Sequence, residues 1–356
     1  MTARTSAGDD PKACAHDHAF GGQAVIEGVM MRGRHSWGLA VRRPRGDIAR
    51  AAYPLPPTGS RSRWLRLPVI RGVVALYESM SLGIKALGIS ANIGMETVPE
   101  PETGVSEETA SAPEPGSASY AAAGERSDKV DPGEGMPEEP PAFGFKELAV
   151  TVVIAVGMAV ALFVVVPLVV VKHFEETFAN PFVFNLVEGL IRIAIFILYI
   201  VGISLIPDLR KVFEYHGAEH KLIHAYESCG RPDAEYAKGF STLHPRCGTG
   251  FLLLVMILSV FLFAIIGKPS VPWLVLSRLI GIPLIIGIAY EIGIKWAGRS
   301  NGVFARALMW PGLQLQRLTT REPSDEQLEV AAAALEEVMA MDEAERVAQQ
   351  EALVPA

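Results

Sequence analysis

The feature that most restricts how this 356-residue chain folds is a run of 24 apolar or small residues without a charge, residues 148–171. Lys172 closes the run. At a rise of about 1.5 Å per residue, a helix of this length spans the roughly 30 Å hydrocarbon core of a bilayer. The sequence therefore predicts a transmembrane helix at this position.

Three further apolar runs, residues 182–206, 251–266 and 271–296, predict three more transmembrane helices. The first of these carries Glu188 and Arg192 four residues apart, which places both charges on one helix face. The last carries Arg278. Charges within a membrane either pair for structural reasons or line a substrate pathway, and both interpretations stay open.

The distribution of basic residues predicts the orientation. Residues 208–249 contain six Lys or Arg, whereas each of the other two loops contains one, Lys172 or Lys268. The positive-inside rule then places both termini and the 208–249 loop in the cytoplasm of a multi-pass inner (cytoplasmic) membrane protein. We expect no secretory signal, because the chain does not open with a charged segment followed by an apolar one.

Outside the membrane the sequence predicts a small β-containing cytoplasmic unit. Short apolar runs at 39–41 and 48–52 flank Arg45-Gly46-Asp47, a pattern typical of a β-hairpin. The fold class is therefore mainly α, a polytopic membrane protein of about four transmembrane helices with an N-terminal β unit. Its predicted segments are a disordered leader (1–20), a β-hairpin unit with an amphipathic helix (21–95), an acidic disordered linker (96–145), the transmembrane bundle (146–320) and an acidic C-terminal helix (321–356).

Residues 68–94 are apolar, but Arg71, Glu78 and Lys85 recur every seven residues and form one charged stripe. This pattern favours a helix at the membrane interface or packed on the bundle. If the helix crosses the bilayer instead, the number of crossings becomes five.

The formal net charge of -7 is unevenly distributed. Residues 96–145 carry 12 acidic and 2 basic side chains, and residues 321–356 carry 10 acidic and 2 basic, which leaves +11 for the remainder. This excludes a uniformly acidic soluble enzyme, and the high apolar content excludes a wholly disordered chain. Three cysteines are too few for a disulfide framework and favour a reducing compartment.

Ser324 followed by Gln327 is the signature of a capping box, which predicts the start of a long acidic helix over 325–351. Leu328, Leu335 and Val338 form a loose apolar side. We interpret this helix as solvated or as the binding surface for a protein partner.

Chemistry-bearing residues concentrate between the second and third apolar runs. Four of the eight histidines and two of the three cysteines lie between His216 and Cys247. On a helix His216 and His220 share a face, and imidazoles at this spacing can both reach one metal ion. Glu219 is a candidate ligand or a base acting on water at the metal, whereas His224 is more typical of a structural side chain.

The second part of the cluster, residues 244–250 (HPRCGTG), is a turn that leads into the third apolar run. His244 or Cys247 would complete a site of nitrogen and sulfur ligands, which suits a divalent metal and zinc best. Alternatively, Arg246 with the backbone at Gly248 and Gly250 forms an anion site for a phosphate such as a lipid headgroup.

Other interpretations are weaker. A His pair at i, i+4 is often only a polar helix face. His216-x-x-Glu219-His220 matches the inverted zinc-protease pattern, but the large soluble α/β fold that such proteases need is missing from the pattern of elements. A nucleic-acid partner is not expected, because the basic residues flank membrane runs without an aromatic platform.

With these motifs the chain resembles the YqhQ-like family of bacterial membrane proteins, which has no known function and is labelled as predicted metal-dependent enzymes. The matching segments are residues 21–32 (GGQAVIEGVMMR), 71–72, 214–221 (EYHGAEHK), 244–250 and 319–323 (TTREP). The resemblance implies a polytopic membrane protein with a metal site.

Two functions remain open at this point. The first is a metal-dependent, hydrolase-like enzyme with His216, His220, His244 and Cys247 as metal ligands and Glu219 as general base, acting on a membrane-delivered substrate. The second is a non-catalytic scaffold, assembly factor or transporter component in which the metal is structural or sensory. Membrane lipids are the expected partners in both cases.

Overall fold

The computed structural model describes residues 20–55, 63–94, 145–173, 180–230, 232–267, 270–300 and 302–351. The predicted leader (1–20) and acidic linker (96–145) lie outside the described residues, apart from Phe20 and Phe145.

The N-terminal unit is a four-stranded antiparallel sheet in the order β1-β2-β3-β4. Its strands are β1 (Gly21–Val25), β2 (Gly28–Arg32), β3 (Ser36–Arg42) and β4 (Ile48–Pro54). The predicted hairpin is confirmed, because β3 pairs with β4 and Arg42 lies opposite Ile48. Gly46 closes the turn with a φ of 99°, a conformation that favours glycine.

The other long regular elements of the described chain are helices. The helices are α1 (Ile70–Gly94), α2 (Phe145–Val160), α3 (Val166–His173), α4 (Pro181–Ser204), α5 (Pro207–Cys229), α6 (Ala234–Ala237), α7 (Gly248–Ile266), α8 (Val271–Ala289), α9 (Val303–Thr319) and α10 (Asp325–Glu351). A π-helical turn, Ala161–Val165, joins α2 to α3. A second one, Tyr290–Trp296, extends α8.

Five helices of the described chain are long and apolar enough to cross a membrane: Ile70–Gly94, Val153–His173, Pro181–Ser204, Gly248–Ile266 and Leu276–Trp296. The four runs predicted from the sequence are confirmed as apolar helices. Among the described residues the candidates therefore number five, one more than the predicted four or so, because α1 also satisfies the criteria of length and hydropathy despite its charged stripe.

The sheet is the middle layer of a three-layer unit. Alternate side chains point to opposite faces of a strand, so one face presents Val25 and Leu39 to Ala86 in the second half of α1. The other face presents Val29 and Met31 to α5 and α10. The sheet is therefore apolar on both faces and is covered on both sides.

Helix α10 forms the third layer. The predicted capping box is confirmed, since the Ser324 N–H donates to Gln327 Oε1 at 2.9 Å and the Gln327 N–H donates to Ser324 Oγ at 3.3 Å. The interpretation of a solvated helix is wrong for its first half, where Leu328, Leu335 and Val338 are at most 1% exposed.

The acidic residues of α10 face arginines of the sheet. Glu329 lies 3.6 Å from Arg42, and Glu336 lies 3.5 Å from Arg50. Further along the helix, Asp342 accepts a hydrogen bond of 2.6 Å from Ser36. The acidic C-terminal segment is thus part of the folded unit rather than an appendage to it.

Candidate metal centre

Helix α5 is the platform of the site. One side of it packs into the sheet core, where Tyr215 and Leu222 are almost fully buried. Residues four positions apart project from the same side of a helix, and this spacing aligns His216, His220 and His224. The helix stops at Gly230, whose φ of 67° is the left-handed conformation typical of a C-terminal glycine.

His216, His220 and Cys247 form a triad of possible metal ligands. One ring nitrogen of each histidine and the Cys247 sulfur lie within 4.8 Å of one another. The separation of His216 Nε2 from Cys247 Sγ is 3.2 Å. Ligands bound 2.0–2.3 Å from one ion in a tetrahedron lie about 3.5 Å apart, so the spacing of the triad fits a zinc ion.

Backbone carbonyls set the tautomer of both histidines. His216 Nδ1 lies 2.8 Å from the carbonyl oxygen of Thr319, and His220 Nδ1 lies 2.5 Å from that of Thr242. A carbonyl oxygen only accepts, so Nδ1 donates in each case and Nε2 keeps its lone pair on the side of Cys247. Metal-binding histidines are held in this way by a hydrogen bond from the other ring nitrogen.

Glu219 lies between the triad and strand β1. Its carboxylate oxygen Oε2 is 3.7 Å from His220 Nε2 and 4.0 Å from His216 Nε2, and the residue is 4% exposed. Burial raises the pKa of this carboxyl group, although His216 and His244 act in the opposite direction. A cation bound by the triad would stabilise its ionised form.

The glycine-rich strand β1 makes room for Glu219. A Cβ atom on Gly22 would lie 2.5 Å from Glu219 Cγ, which is closer than real atoms approach. Within the motif at 21–32, Gly22 therefore contributes to the site because it has no side chain that would displace Glu219.

His244 lies in a second group, with His224 and Glu227, rather than in the triad. The ligand atoms of these three residues are also within 4.8 Å of one another. His244 Nε2 is 3.6 Å from Glu227 Oε2, and the His244 ring is centred 5.6 Å from that of His220. Burial lowers the pKa of His224 to about 4, so this ring is neutral at physiological pH.

The backbone of His244 is fixed by a side chain that the sequence did not single out. Gln316 in α9 is buried; its Oε1 accepts from the His244 N–H at 2.8 Å, and its Nε2 donates to the His244 carbonyl at 2.9 Å. Glu227 follows the three histidines on neighbouring turns of α5 but was not among the predicted ligands. Gln316 gave no local signal, because 72 residues separate it from its partner.

The predicted anion site remains a prediction. Arg246 forms an ion pair with Glu227, and Gly248 is the first residue of α7. Gly250 faces Gly312 in α9, whose Cα would lie 3.4 Å from a Cβ atom at position 250. Close packing of two helices therefore accounts for a glycine at that position.

The last residue of α9 and the segment that follows it support the triad. Thr319 provides the carbonyl group that holds His216, and its hydroxyl oxygen lies 3.3 Å from that of Thr249. The Thr249 hydroxyl is in turn 3.2 Å from Cys247 Sγ. A Cβ atom on Gly217 would overlap the carbonyl oxygen of Arg321, so this glycine lets the 319–323 segment lie against α5.

The segments that build the triad lie within a long region that matches a known family. Residues 67–341 match the family described as "Protein of unknown function (DUF1385)". The chain belongs to this family. It is 31% identical over 327 residues to the uncharacterized protein YqhQ of Bacillus subtilis (strain 168), a match that covers 91% of this chain and 93% of the relative. No solved structure matches the chain.

Family membership confirms the resemblance noted from the sequence. The matched region includes α5, the turn at 244–250 and the segment after α9, which together build the triad. The motif at 21–32 lies before the region that the family model matches, which begins at residue 67. The match to the Bacillus relative is longer and covers 91% of this chain.

Proposed function

We propose that this membrane protein is a metal-dependent enzyme of the hydrolase type, with a divalent ion, best matched by zinc, at His216, His220 and Cys247. The observation that carries the proposal is the convergence of one ring nitrogen from each histidine on the Cys247 sulfur, while both Nδ1 atoms are hydrogen-bonded to backbone carbonyls. With two histidine nitrogens and the Cys247 thiolate as ligands, a tetrahedral zinc ion would keep one open coordination position for water. Three protein ligands and one open position are the pattern of catalytic zinc sites.

A bound divalent ion would supply the acidification of water and the polarisation of a substrate carbonyl or phosphoryl group. Glu219 would serve as a base beside such an ion, because its Oε2 lies 3.7 Å from His220 Nε2 and 4.0 Å from His216 Nε2. Burial keeps bulk solvent away from this carboxyl group and raises its pKa above the ordinary value. His244, beside His220, is the next candidate ligand.

The position of the triad supports an amphiphilic or membrane-delivered substrate. Cys247 is the N-cap residue of α7, a membrane-spanning candidate, and His216 lies in the third turn of α5, which directly follows α4. The site therefore lies where two membrane helices end, at the level of the lipid headgroups.

We infer further that both termini lie in the cytoplasm at the inner membrane. The N-terminal sheet contacts α10 at the other end of the sequence, so both lie on one side of the membrane. Four crossings satisfy this arrangement, with α1 along the membrane surface, since the second half of α1 packs under the sheet at Ala86 and Ile93. Reporter fusions at both termini should give the same cytoplasmic signal, and opposite signals would contradict four crossings.

A specific observation favours a second candidate, a structural metal site in a scaffold or transporter component. His220 and Glu219 are only 1% and 4% exposed. If Glu219 is the fourth ligand, the site is closed and the metal holds α5, α7 and the 319–323 segment together.

Substitution of Glu219 by Gln separates the two functions. For an enzyme we expect the purified protein to keep its metal and to lose about 100-fold or more of its hydrolytic rate, because general base catalysis is removed. The measurement combines metal analysis with a panel of micellar ester and phosphodiester substrates.

The matched control is Glu235→Gln, whose side chain is 81% exposed on α6. It should retain both metal and activity. Loss of metal in Glu219→Gln would identify Glu219 as a ligand and support the structural site, and an unchanged rate in that variant would refute the catalytic role.

A further inference from the structure

A second polar cluster lies within the membrane bundle. The predicted pairing of Glu188 with Arg192 is confirmed by an ion pair one helical turn apart on α4. Arg192 Nε also donates to the carbonyl oxygen of Phe163 at 2.8 Å. Phe163 belongs to the π-helical turn between α2 and α3, so α4 and the first membrane helix meet at this arginine.

Arg278 brings a second positive charge to this region from α8. Its Cζ atom lies 3.4 Å from the ring centre of Phe263 in α7, and Arg278 is close enough to Glu188 and Arg192 to interact electrostatically with both. The Glu188 carboxylate pairs with Arg192. Arg278 therefore leaves a net charge of one positive unit among these three residues, in a low-dielectric environment. Such a charge is costly unless an anion accompanies it.

Two hydrogen-bond donors of the cluster have no acceptor among the described residues. They are the buried atoms Arg278 Nη1 and Asn185 Nδ2. Asn185 is on the same face of α4 as Glu188 and Arg192, since the three residues follow the spacing i, i+3 and i+7. Among the residues that the structure describes, the cluster therefore lacks both a compensating negative charge and acceptors for these donors, and an oxyanion supplies both.

The cluster is near the membrane surface opposite the metal centre. Asn185 is the fifth residue of α4 and Arg278 the eighth of α8, which places them about 6–12 Å from the starts of these helices. Helix α4 has 24 residues and is about 36 Å long, more than the roughly 30 Å hydrocarbon core. A headgroup phosphate therefore comes within reach of both donors.

We propose that Arg278 and Asn185, with Arg192 alongside, bind the phosphate group of an anionic phospholipid from the leaflet opposite the metal centre. Phosphate oxygens accept the two unused donors, and the negative charge offsets the excess guanidinium. Glu188 limits the affinity by repelling the anion while it positions Arg192. The site is independent of the metal centre and of the function proposed for it.

The experiment is native mass spectrometry of the full chain in neutral detergent, titrated with phosphatidylglycerol. Arg278→Gln should weaken binding about tenfold, because it removes the positive charge that faces the phosphate. Asn185→Ala should weaken binding to a smaller extent, because it removes one neutral donor. Glu188→Gln should strengthen binding, an effect opposite to that of a misfolded variant. Arg306→Gln on the exposed side of α9 is the matched control and should bind like the wild type.

The outcomes decide both the site and its occupant. Retention of the lipid in the presence of excess inorganic phosphate supports a headgroup site, whereas displacement by inorganic phosphate overturns it in favour of the free ion. Equal binding of phosphatidylglycerol to the wild type, Arg278→Gln and Glu188→Gln would overturn the proposal, because the charges of the cluster would then play no part.

Discussion

Replacement of Gly217 by alanine should destabilise the protein by about 3 kcal/mol, as expected for strong overpacking, and should abolish tight metal binding. The added Cβ would overlap the carbonyl oxygen of Arg321 and would also lie 3.3 Å from Thr242 Cγ2. The 319–323 segment must then move away from α5. The carbonyl groups of Thr319 and Thr242, which hold the two histidines, move with their segments. Thermal unfolding in detergent and metal analysis of the purified variant measure the two effects.

Gly202→Ala is the control for this prediction. Gly202 is also in a helix, and a Cβ atom there would have no neighbour within 4 Å. Because alanine favours helices more than glycine, this variant should be as stable as the wild type or slightly more so. If Gly217→Ala behaved in the same way, the contact between α5 and the 319–323 segment would be refuted.

Replacement of Leu335 by alanine should destabilise the cytoplasmic unit by about 2–5 kcal/mol, the range for a large side chain removed from a packed core. Leu335 is fully buried in the layer between α10, α5 and the sheet. A helix exposed to solvent would show almost no change. Tryptophan fluorescence during thermal unfolding reports the effect, because Trp37 is buried in strand β3 and stacks on Tyr53.

Val347→Ala in the same helix provides the comparison. Val347 is 40% exposed, so its truncation should change the free energy of unfolding by less than about 0.5 kcal/mol. Equal effects of the two substitutions would show that the first half of α10 does not pack against the sheet. A protein partner at the exposed end of α10 stays a prediction.

Local signals in the sequence predicted the apolar helices, the β3–β4 hairpin and the start of α10. The length of an apolar run determines whether it spans a bilayer, and the run at 148–171 needed no tertiary information. The turn at Gly46 predicted the hairpin of β3 and β4, and the capping box at Ser324 predicted the start of α10. Each of these signals is contained in a few neighbouring residues.

The burial of α10 was not predictable in the same way. Its buried side is largely alanine, residues 331–334, and alanines give a weak apolar pattern among acidic residues. Their small size lets the helix approach the sheet, where a Cβ on Gly38 would lie 2.7 Å from Val338 Cγ2. The complementarity of α10 to the sheet appears only when both are folded.

Only those features of the candidate site that depend on local spacing were predictable from the sequence. The spacing of His216 and His220 is a helical signal, and of the two further candidates, His244 and Cys247, the structure places Cys247 beside them. His244 instead faces Glu227, and the roles of Gln316 and Thr319 depend on contacts across about 70 and 100 residues of sequence. Side chains that orient a ligand carry no spacing pattern of their own.

The most direct measurement is the metal content of the full chain, purified in detergent without added metal, beside His216→Ala/His220→Ala. We predict about one equivalent of zinc per wild-type chain and less than about a tenth in the double variant, because two of the three triad ligands are removed. Less than about a tenth of an equivalent of any divalent metal in the wild type, in protein that stays folded, would contradict the metal centre.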